Sequence, residues 1–493
     1  MIRAHDLIQT VLDADSFHCW DDAPEQPDLG EEYAAQLGRA EERAGVDEAI
    51  TTGEGLLGGR RVAIAAGEFG FLAGSIGSAA SERLTRAIER ATAERLPLLV
   101  STSSGGTRMQ EGTPAFLQMI TIGQAIMDHR AAGLPYIVYL RHPTTGGVLA
   151  SWGSLGHLAV AEPGALIGFL GPRVREILVG EPFGEGVQTA ENLASVGVID
   201  GVVPLEGVRD VGIRVLDVLM SPQEPRLRDS VTDWDPSSDS PAWESVMATR
   251  RRDRPGLREL LTATATRFIP LSGTGSGESD HSIITGLARL GSWSCVLVGQ
   301  DRQTQEHSTL GPAALRVAQR GVHLAEELGL PVVTVVDTRG ADLSTAGEEG
   351  GMAGEIARCL ACLATASVPV VSVVLGEGSG GGALALLPAD RTVCAEHGWV
   401  APLPPEGASA IIHRNADHAA EMADQHRIRA IDLKAAGTVD EIIPEPAPDT
   451  GTDGWEQFCH AIMSAVEHHV AELMAMDPSE RRARRHERFR HMS

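Results

Sequence analysis

The chain has 493 residues, length for two or three domains that each bury a core, and 43% apolar residues with 55 glycines and 27 prolines fit a loop-bearing α/β protein. A formal charge of −26 excludes a nucleic-acid backbone or an anionic membrane as the main partner and leaves only local basic pockets open. Lys434 is the only lysine, so a P-loop lysine and a Schiff-base lysine at any other position are excluded.

Residues 1–54 read as a charged, helical lead-in. Polar residues follow Met1 at once, no secretory signal precedes the cysteines, and no stretch approaches the ~18 apolar residues of a membrane span, so the cytoplasm is the expected location. From Arg61-Val62-Ala63-Ile64-Ala65 onward, short apolar runs alternate with helical patterns such as Ser81 to Ile88, which predicts an α/β domain over 55–220. Within it a strand at Leu96-Pro97-Leu98-Leu99-Val100 enters a small-residue loop, Ser104-Gly105-Gly106. A helical pattern follows, then a strand from Leu134-Pro135 and a glycine pair, Gly146-Gly147. Residues 221–256 are rich in Pro, Ser, Asp and Arg and read as a linker, with Trp243 and Arg250-Arg251-Arg252 available to dock it on a domain.

A second α/β domain over 257–446 repeats the order. Leu330-Pro331-Val332-Val333 is followed by a loop with Arg339-Gly340-Ala341, a helical stretch, a strand from Val368-Pro369 and the cluster Gly380-Gly381-Gly382. The separation is 234 residues from Pro97 to Pro331 and from Pro135 to Pro369, and 235 from Gly147 to Gly382. A period this long means two homologous domains, not a solenoid. Residues 447–493 carry a helix near Trp455 to Met476 and a basic stretch from Arg481 to Arg490, either a solvated extension or a docking arm.

No familiar side-chain engine is present: there is no G-x-S-x-G, H-E-x-x-H or Walker A motif. Cys359 and Cys362 have C-x-x-C spacing without a second pair, inside an apolar helical run, and read as packed thiols; no metal is expected. What the chain supplies twice is a pair of glycine-bearing turns, each after an apolar strand. Such turns let a ligand oxygen approach backbone N–H groups, and a following helix N-terminus adds partial positive charge. Two oxyanion holes, rather than tight helix–sheet packing alone, suit a reaction that joins two carbonyl compounds.

Three stretches of the first domain resemble the β half of biotin-dependent acetyl-CoA carboxyltransferase. They are Ser104-Gly105-Gly106-Thr107-Arg108-Met109-Gln110-Glu111-Gly112, Pro143 to Val148, and Ala161 to Arg173. The second domain resembles the α half through Asp337-Thr338-Arg339-Gly340-Ala341, Gly376 to Ala385 and Pro404 to Ile411. The order is that of the fused actinobacterial acyl-CoA carboxyltransferases.

The resemblance implies two crotonase-type β/β/α spiral domains. It further implies a homodimer or dimer-based hexamer, with active sites between the first domain of one subunit and the second of another. Acyl-CoA is expected near Ser104, Gly105, Gly106, Thr107 and Arg108, with Gly146 and Gly147 amides at the thioester oxygen and Arg108 or Arg173 in place of phosphate-binding lysines; Arg108 reads equally as a structural anchor. Carboxybiotin is expected near Gly340, Ala341 and Gly381, with Gly382 and Ala383 amides at the ureido oxygen, and Ala385 as a wall of the acyl pocket. By that mechanism carboxybiotin releases CO₂, the ureido anion removes the α-proton, and the enolate attacks CO₂.

Lys434 lies in a helical context without flanking Met, so biotin is expected on a separate carrier protein, charged by a separate biotin carboxylase, with none bound covalently. The chain departs from the family in two places: residues 1–55 hold only Cys19 where a zinc ribbon is usual, and Arg339 to Ser344 differ from the usual α-type loop. Two alternatives stand beside the carboxyltransferase reading. One is a non-catalytic paralogue that binds acyl-CoA or joins an active carboxylase; the other is a crotonase-type acyl-CoA decarboxylase or hydratase.

Overall fold

The structure is a computed structural model that describes residues 1–229, 240–447 and 450–490. The chain divides into two compact units, 1–219 with 275–277, and 220–274 with 278–493.

Unit 1 is built on an eight-stranded sheet: β1 (His18–Cys19), β2 (Ile50–Leu57), β3 (Arg60–Gly67), β4 (Leu98–Ser104), β5 (Tyr136–Thr145), β6 (Leu158–Ala161), β7 (Ile167–Gly168) and β8 (Gly201–Val202). The order is β1-β2-β3-β4-β5-β6-β8, with β7 on β5. β2 and β3 form a hairpin because Gly58 and Gly59 both take positive φ (59° and 79°), the demand of a two-residue turn matched to strand twist. From β3 onward the ladder is parallel. β4 is buried at every position, which is why its sequence runs apolar and small instead of alternating.

Seven helices accompany this sheet: α1 (Ala4–Val11), α2 (Glu31–Ala44), α3 (Ser78–Ala93), α4 (Gly112–Ala131), α5 (Pro172–Val179), α6 (Ala190–Ser195) and α7 (Leu205–Met220), among the described residues. On α4, Ala115, Met119, Ile122, Ile126 and His129 follow the helical period and face inward. Phe116, Leu117, Ile120 and Met127 leave the opposite side apolar yet exposed.

Unit 2 repeats the plan with β9 (Arg267–Pro270), β10 (Ile283–Leu290), β11 (Trp293–Gln300), β12 (Val332–Thr338), β13 (Val370–Ser379), β14 (Arg391–Ala395), β15 (Trp399–Ala401) and β16 (Glu441–Ile443). Its sheet order is β9-β10-β11-β12-β13-β14-β16, with β15 on β13. Even the irregularities match. Register slips between Thr102 and Ser104 on β4 and between Val336 and Thr338 on β12, and the ends of β5 and β13 turn to β7 and β15. The glycine turns sit where each central strand changes partner.

Three segments differ from the expectation. Residues 1–54 are no mere lead-in: they supply β1 and the start of β2, Glu68 accepts the Ala4 N–H at 2.9 Å, and buried Arg141 donates to the Ile2 carbonyl at 2.8 Å. Of the linker, 230–239 lie outside the described residues, and the flanks belong to unit 2. Gln223 accepts the Ser294 N–H at 2.6 Å, and Thr249, at the end of the helix Ala242–Thr249, accepts from the Trp399 indole at 3.0 Å. Arg250 reaches Glu406 at 2.5 Å and lies over the Trp243 ring, the docking expected of them. The basic stretch is a helix, Pro478–Arg488, folded onto its own unit. Buried Arg485 forks onto Asp390 and caps the Leu363, Ala366 and Val368 carbonyls. Residues 491–493 lie outside the description. No helix among the described residues is long and apolar enough to cross a membrane.

Candidate functional site

In unit 1 the two glycine loops meet. At the end of β4, the Ser104 hydroxyl accepts the Gly106 N–H at 3.0 Å and donates to the Gly74 carbonyl, so this buried side chain shapes the loop and does not face a ligand. Gly106 takes φ 110° and Gly146 φ 65°, and a Cβ on Gly146 would stand 3.2 Å from the Gly106 Cα. Glycine is required at that contact by both conformation and space.

The amides divide clearly. Gly105 donates to Ala73 O and Gly146 to Phe169 O, each at 2.9 Å. Gly146 is therefore the turn-former, not a donor to substrate, which corrects the expectation for it. Among the described residues the N–H groups of Thr107 and Gly147 have no protein acceptor. They border a cavity of about 620 Å³ whose other walls are mostly apolar, with Phe116, Leu117, Ile120, Phe169 and Val174 among them, and which Thr145 and Ser151 also line.

Arg108 is not a phosphate ligand. Its guanidinium is fully buried, paired with Glu48 (Nη1 to Oε2 3.0 Å) and Glu111 (3.3 Å), and donates to Ser75 O at 2.8 Å. Burial alone would favour the neutral form, but the Glu48 pairing outweighs it and raises the pKa above the usual arginine value. Tyr33 donates to Glu111 at 2.5 Å, and burial with that carboxylate pushes the phenol up to about 12. Burial opposes ionisation of Glu111, yet the Tyr33 and Ser78 hydrogen bonds hold it below the ordinary range. Tyr33 and Glu48 could not be picked from the sequence, where they are single residues of a polar stretch. Arg173, on α5, is exposed and has no carboxylate partner among the described residues.

Unit 2 builds the same turns with different support. Thr338 accepts the Gly340 N–H at 3.2 Å, Gly340 takes φ 131°, and Gly380 takes φ 62°. The helix Gly380–Leu384 begins there, so the Gly381 and Gly382 amides belong to its unsatisfied first turn. Ala383, the fourth residue of that helix, is buried. Buried Ala385 likewise forms no exposed wall within this unit.

Gln300, at the end of β11, was not anticipated. Its amide donates to Gly382 O at 2.7 Å and accepts the Asp337 N–H at 3.0 Å, tying the glycine helix to β12. Beside it is a cleft of about 20 Å³ lined by Thr249, Arg302, Gln305, Asp337, Thr338, Arg339 and Glu377, among others. Burial raises the Asp337 and Glu377 carboxyls above their ordinary range, against Arg302 and Arg254 for the first and Arg250 for the second. Ala341 follows Gly340 as Thr107 follows Gly106, and its N–H also has no protein acceptor among the described residues. Cys359 is a core thiol and Cys362 faces His323 at 3.5 Å; burial pushes them up to about 12 and about 11.

The chain is similar to known proteins. The carboxyl transferase domain model matches residues 4–484. The chain is 55% identical over 490 residues to the probable biotin-dependent acyl-coenzyme A carboxylase beta3 subunit of Mycobacterium tuberculosis (strain ATCC 25618 / H37Rv), covering 99% of this chain and 98% of that one. It is 37% identical over 475 residues to the acetyl-coenzyme A carboxylase carboxyl transferase subunits beta/alpha of Salinispora tropica, covering 93% and 84%. The transcarboxylase 12S structure solved with methylmalonyl-coenzyme A and methylmalonic acid bound shares the fold, with a TM-score of 0.77 at 21% identity over 96% of this chain and 90% of that one.

Proposed function

This chain belongs to the carboxyl transferase family, and from that membership we infer that it is the carboxyltransferase subunit of a biotin-dependent acyl-CoA carboxylase, moving a carboxyl group from carboxybiotin to the α-carbon of an acyl-CoA. The observation that carries the reading is the doubled glycine turn with unclaimed amides, Thr107 and Gly147 in unit 1, Ala341, Gly381 and Gly382 in unit 2.

Each half of the reaction places negative charge on an oxygen, and preorganised amides stabilise such charge without an ionisable side chain. In unit 1 the Thr107 and Gly147 N–H groups hold the thioester oxygen as it becomes an enolate, and the apolar walls exclude water from it. In unit 2 the Ala341, Gly381 and Gly382 amides receive the polar ureido oxygen, positioned by the Gln300 bridge. Carboxybiotin, brought on a separate carrier and charged by a separate biotin carboxylase, supplies the carboxyl group. Arg173 takes a CoA phosphate. The product is malonyl-CoA or a substituted malonyl-CoA, which places the enzyme at the entry to fatty-acid building in the cytoplasm. Self-association is part of this reading: α5 buries none of its residues, and Ile177 stands 82% exposed on it.

The test is malonyl-CoA-dependent carboxylation of free biotin, or the forward reaction with a biotin carboxylase and carrier added. Turnover supports the assignment. Tight CoA binding without turnover of any acyl-CoA transfers it to the non-catalytic paralogue.

A further inference from the structure

The acyl site in unit 1 continues into an apolar groove much larger than an acetyl group needs. From the Gly147 amide the cavity, about 620 Å³ in volume, runs along the outer side of α4, and no ionisable side chain lines it. Phe116 is 59% and Ile120 68% exposed, an unusual outlay of apolar surface on a helix that already buries a full inward stripe. The surface is not a general property of the fold. At the 234-residue spacing of the two copies, Phe116, Leu117 and Ile120 correspond to Gly350, Gly351 and Gly354. Unit 2 carries no side chain at these three places, and its helix breaks between Glu349 and Met352.

We propose that this groove receives the acyl chain, so that the enzyme's substrate is a medium- or long-chain acyl-CoA rather than acetyl-CoA, with Phe116 and Ile120 setting the preference. The proposal rests on the carboxyltransferase reading. The occupant is argued from continuity: the groove begins at the amide that holds the thioester oxygen, the point from which an acyl chain extends. A pocket of a few hundred Å³ with apolar walls and one or two polar anchors at its end is the usual shape of a small-ligand site. Each methylene removed from water contributes about 0.8 kcal/mol, or about fourfold in affinity, before ordering costs reduce it.

The experiment is direct binding of acetyl-, butyryl- and octanoyl-CoA to the full chain by calorimetry, with unacylated CoA as reference. No carboxyl donor is present, so nothing turns over. We expect octanoyl-CoA to bind at least tenfold more tightly than acetyl-CoA, and Ile120→Asp to cut that ratio below threefold. Because Ile120 is exposed, this variant should fold, which its unfolding curve checks. Equal Kd values across the series overturn the chain-length proposal and leave the carboxyltransferase reading standing. Failure to bind any CoA thioester overturns both. If Ile120→Asp dissociates an oligomer in sedimentation while the octanoyl-to-acetyl ratio persists, the groove is a subunit contact and the proposal fails.

Discussion

Unit 1 and unit 2 share a backbone down to the register slip and the positive φ before each amide cluster, yet they line their sites in opposite ways. Unit 1 opens onto Met109, Phe116 and Ile120; unit 2 gathers Arg302, Asp337, Arg339 and Glu377 around a small cleft and braces its glycine helix with Gln300. Both copies keep the glycine turns with unclaimed amides and differ in the walls around them, which is what the proposed acyl thioester and ureido ligands would require.

The loops are also fixed by unequal means, and the largest expected effect follows from that. Arg108 locks the unit 1 loop through a buried pair, whereas its counterpart at the repeat spacing, Asp342, is only partly buried and bonds to Ser344 and Thr309 without a cationic partner among the described residues. Arg108→Ala leaves Glu48 buried without its partner and should cost about 3–5 kcal/mol in urea unfolding. Asp342→Ala should stay within about 1 kcal/mol. Equal losses would mean that the loops are held alike, and would remove this asymmetry.

Next in size are the glycines. A Cβ on Gly147 would stand 2.9 Å from the Thr107 Oγ1, between the two unclaimed amides. Gly147→Val should lower kcat/KM for acyl-CoA by about 10²–10³, with the unfolding midpoint little changed. On Gly381 a Cβ meets the Ile356 Cδ1 at 2.6 Å, the end of a movable side chain, so Gly381→Val should fold and lose a similar factor when free biotin is the varied substrate. A variant that keeps its rate removes that amide from the reacting oxygen.

The helix pairs behind the sites separate the copies by pH. In unit 1, burial lowers His129 from the ordinary 6.5 to about 4. The unfolded chain takes up this proton first, so stability should fall as pH drops from about 6.5 to 4 and then level. In unit 2, burial opposes ionisation of Glu355, but hydrogen bonds from Arg358, Gln319 and Arg316 lower it from 4.5 to about 2. Its contribution is complete above about pH 4.5 and lost as pH falls through 2. Each window is worth at most about 3 kcal/mol. His129→Phe should flatten the upper slope and Glu355→Gln the lower, read from denaturation midpoints across pH.

The sequence carried the features that repeat or that have one local cause. The strands, the 234-residue spacing and the glycine turns were legible because apolar runs and glycines declare themselves over a few residues. Arg108 was legible as either a phosphate ligand or a structural anchor, and its partners decide for the anchor, since Glu48 and Tyr33 meet it only through the fold. Gly146 shows a finer limit: spacing marks a glycine pair, but only the Phe169 carbonyl reveals that one of the two amides is already taken. Gln300 carried no signal, being one polar residue at the end of an apolar strand. The basic C-terminal stretch reads by composition as a solvated extension or a docking arm, and Asp390 with the Leu363, Ala366 and Val368 carbonyls makes it a clamp.

The smallest expected effect concerns the helix after β7 and after β15. α5 opens Pro172-Arg173 and the helix Pro405–His413 opens Pro405-Glu406, equivalent places in the two copies. Glu406 is satisfied by Arg250, which also lowers its carboxyl below the ordinary range. Arg173 is exposed without such a partner among the described residues, in a chain whose formal charge is −26. A cation left unpaired in an acidic protein suits a polyanionic CoA, and an acid already neutralised does not. Because the Arg173 contact is solvent-exposed, its worth is of order 1 kcal/mol and screened by salt. Arg173→Ala should therefore raise KM for acyl-CoA about threefold at low ionic strength, with kcat unchanged, and the difference should vanish by about 0.5 M salt. Glu406→Ala should leave that KM alone. An Arg173→Ala enzyme with wild-type KM and salt dependence would move phosphate recognition off α5 and leave the charge contrast between the copies without a function.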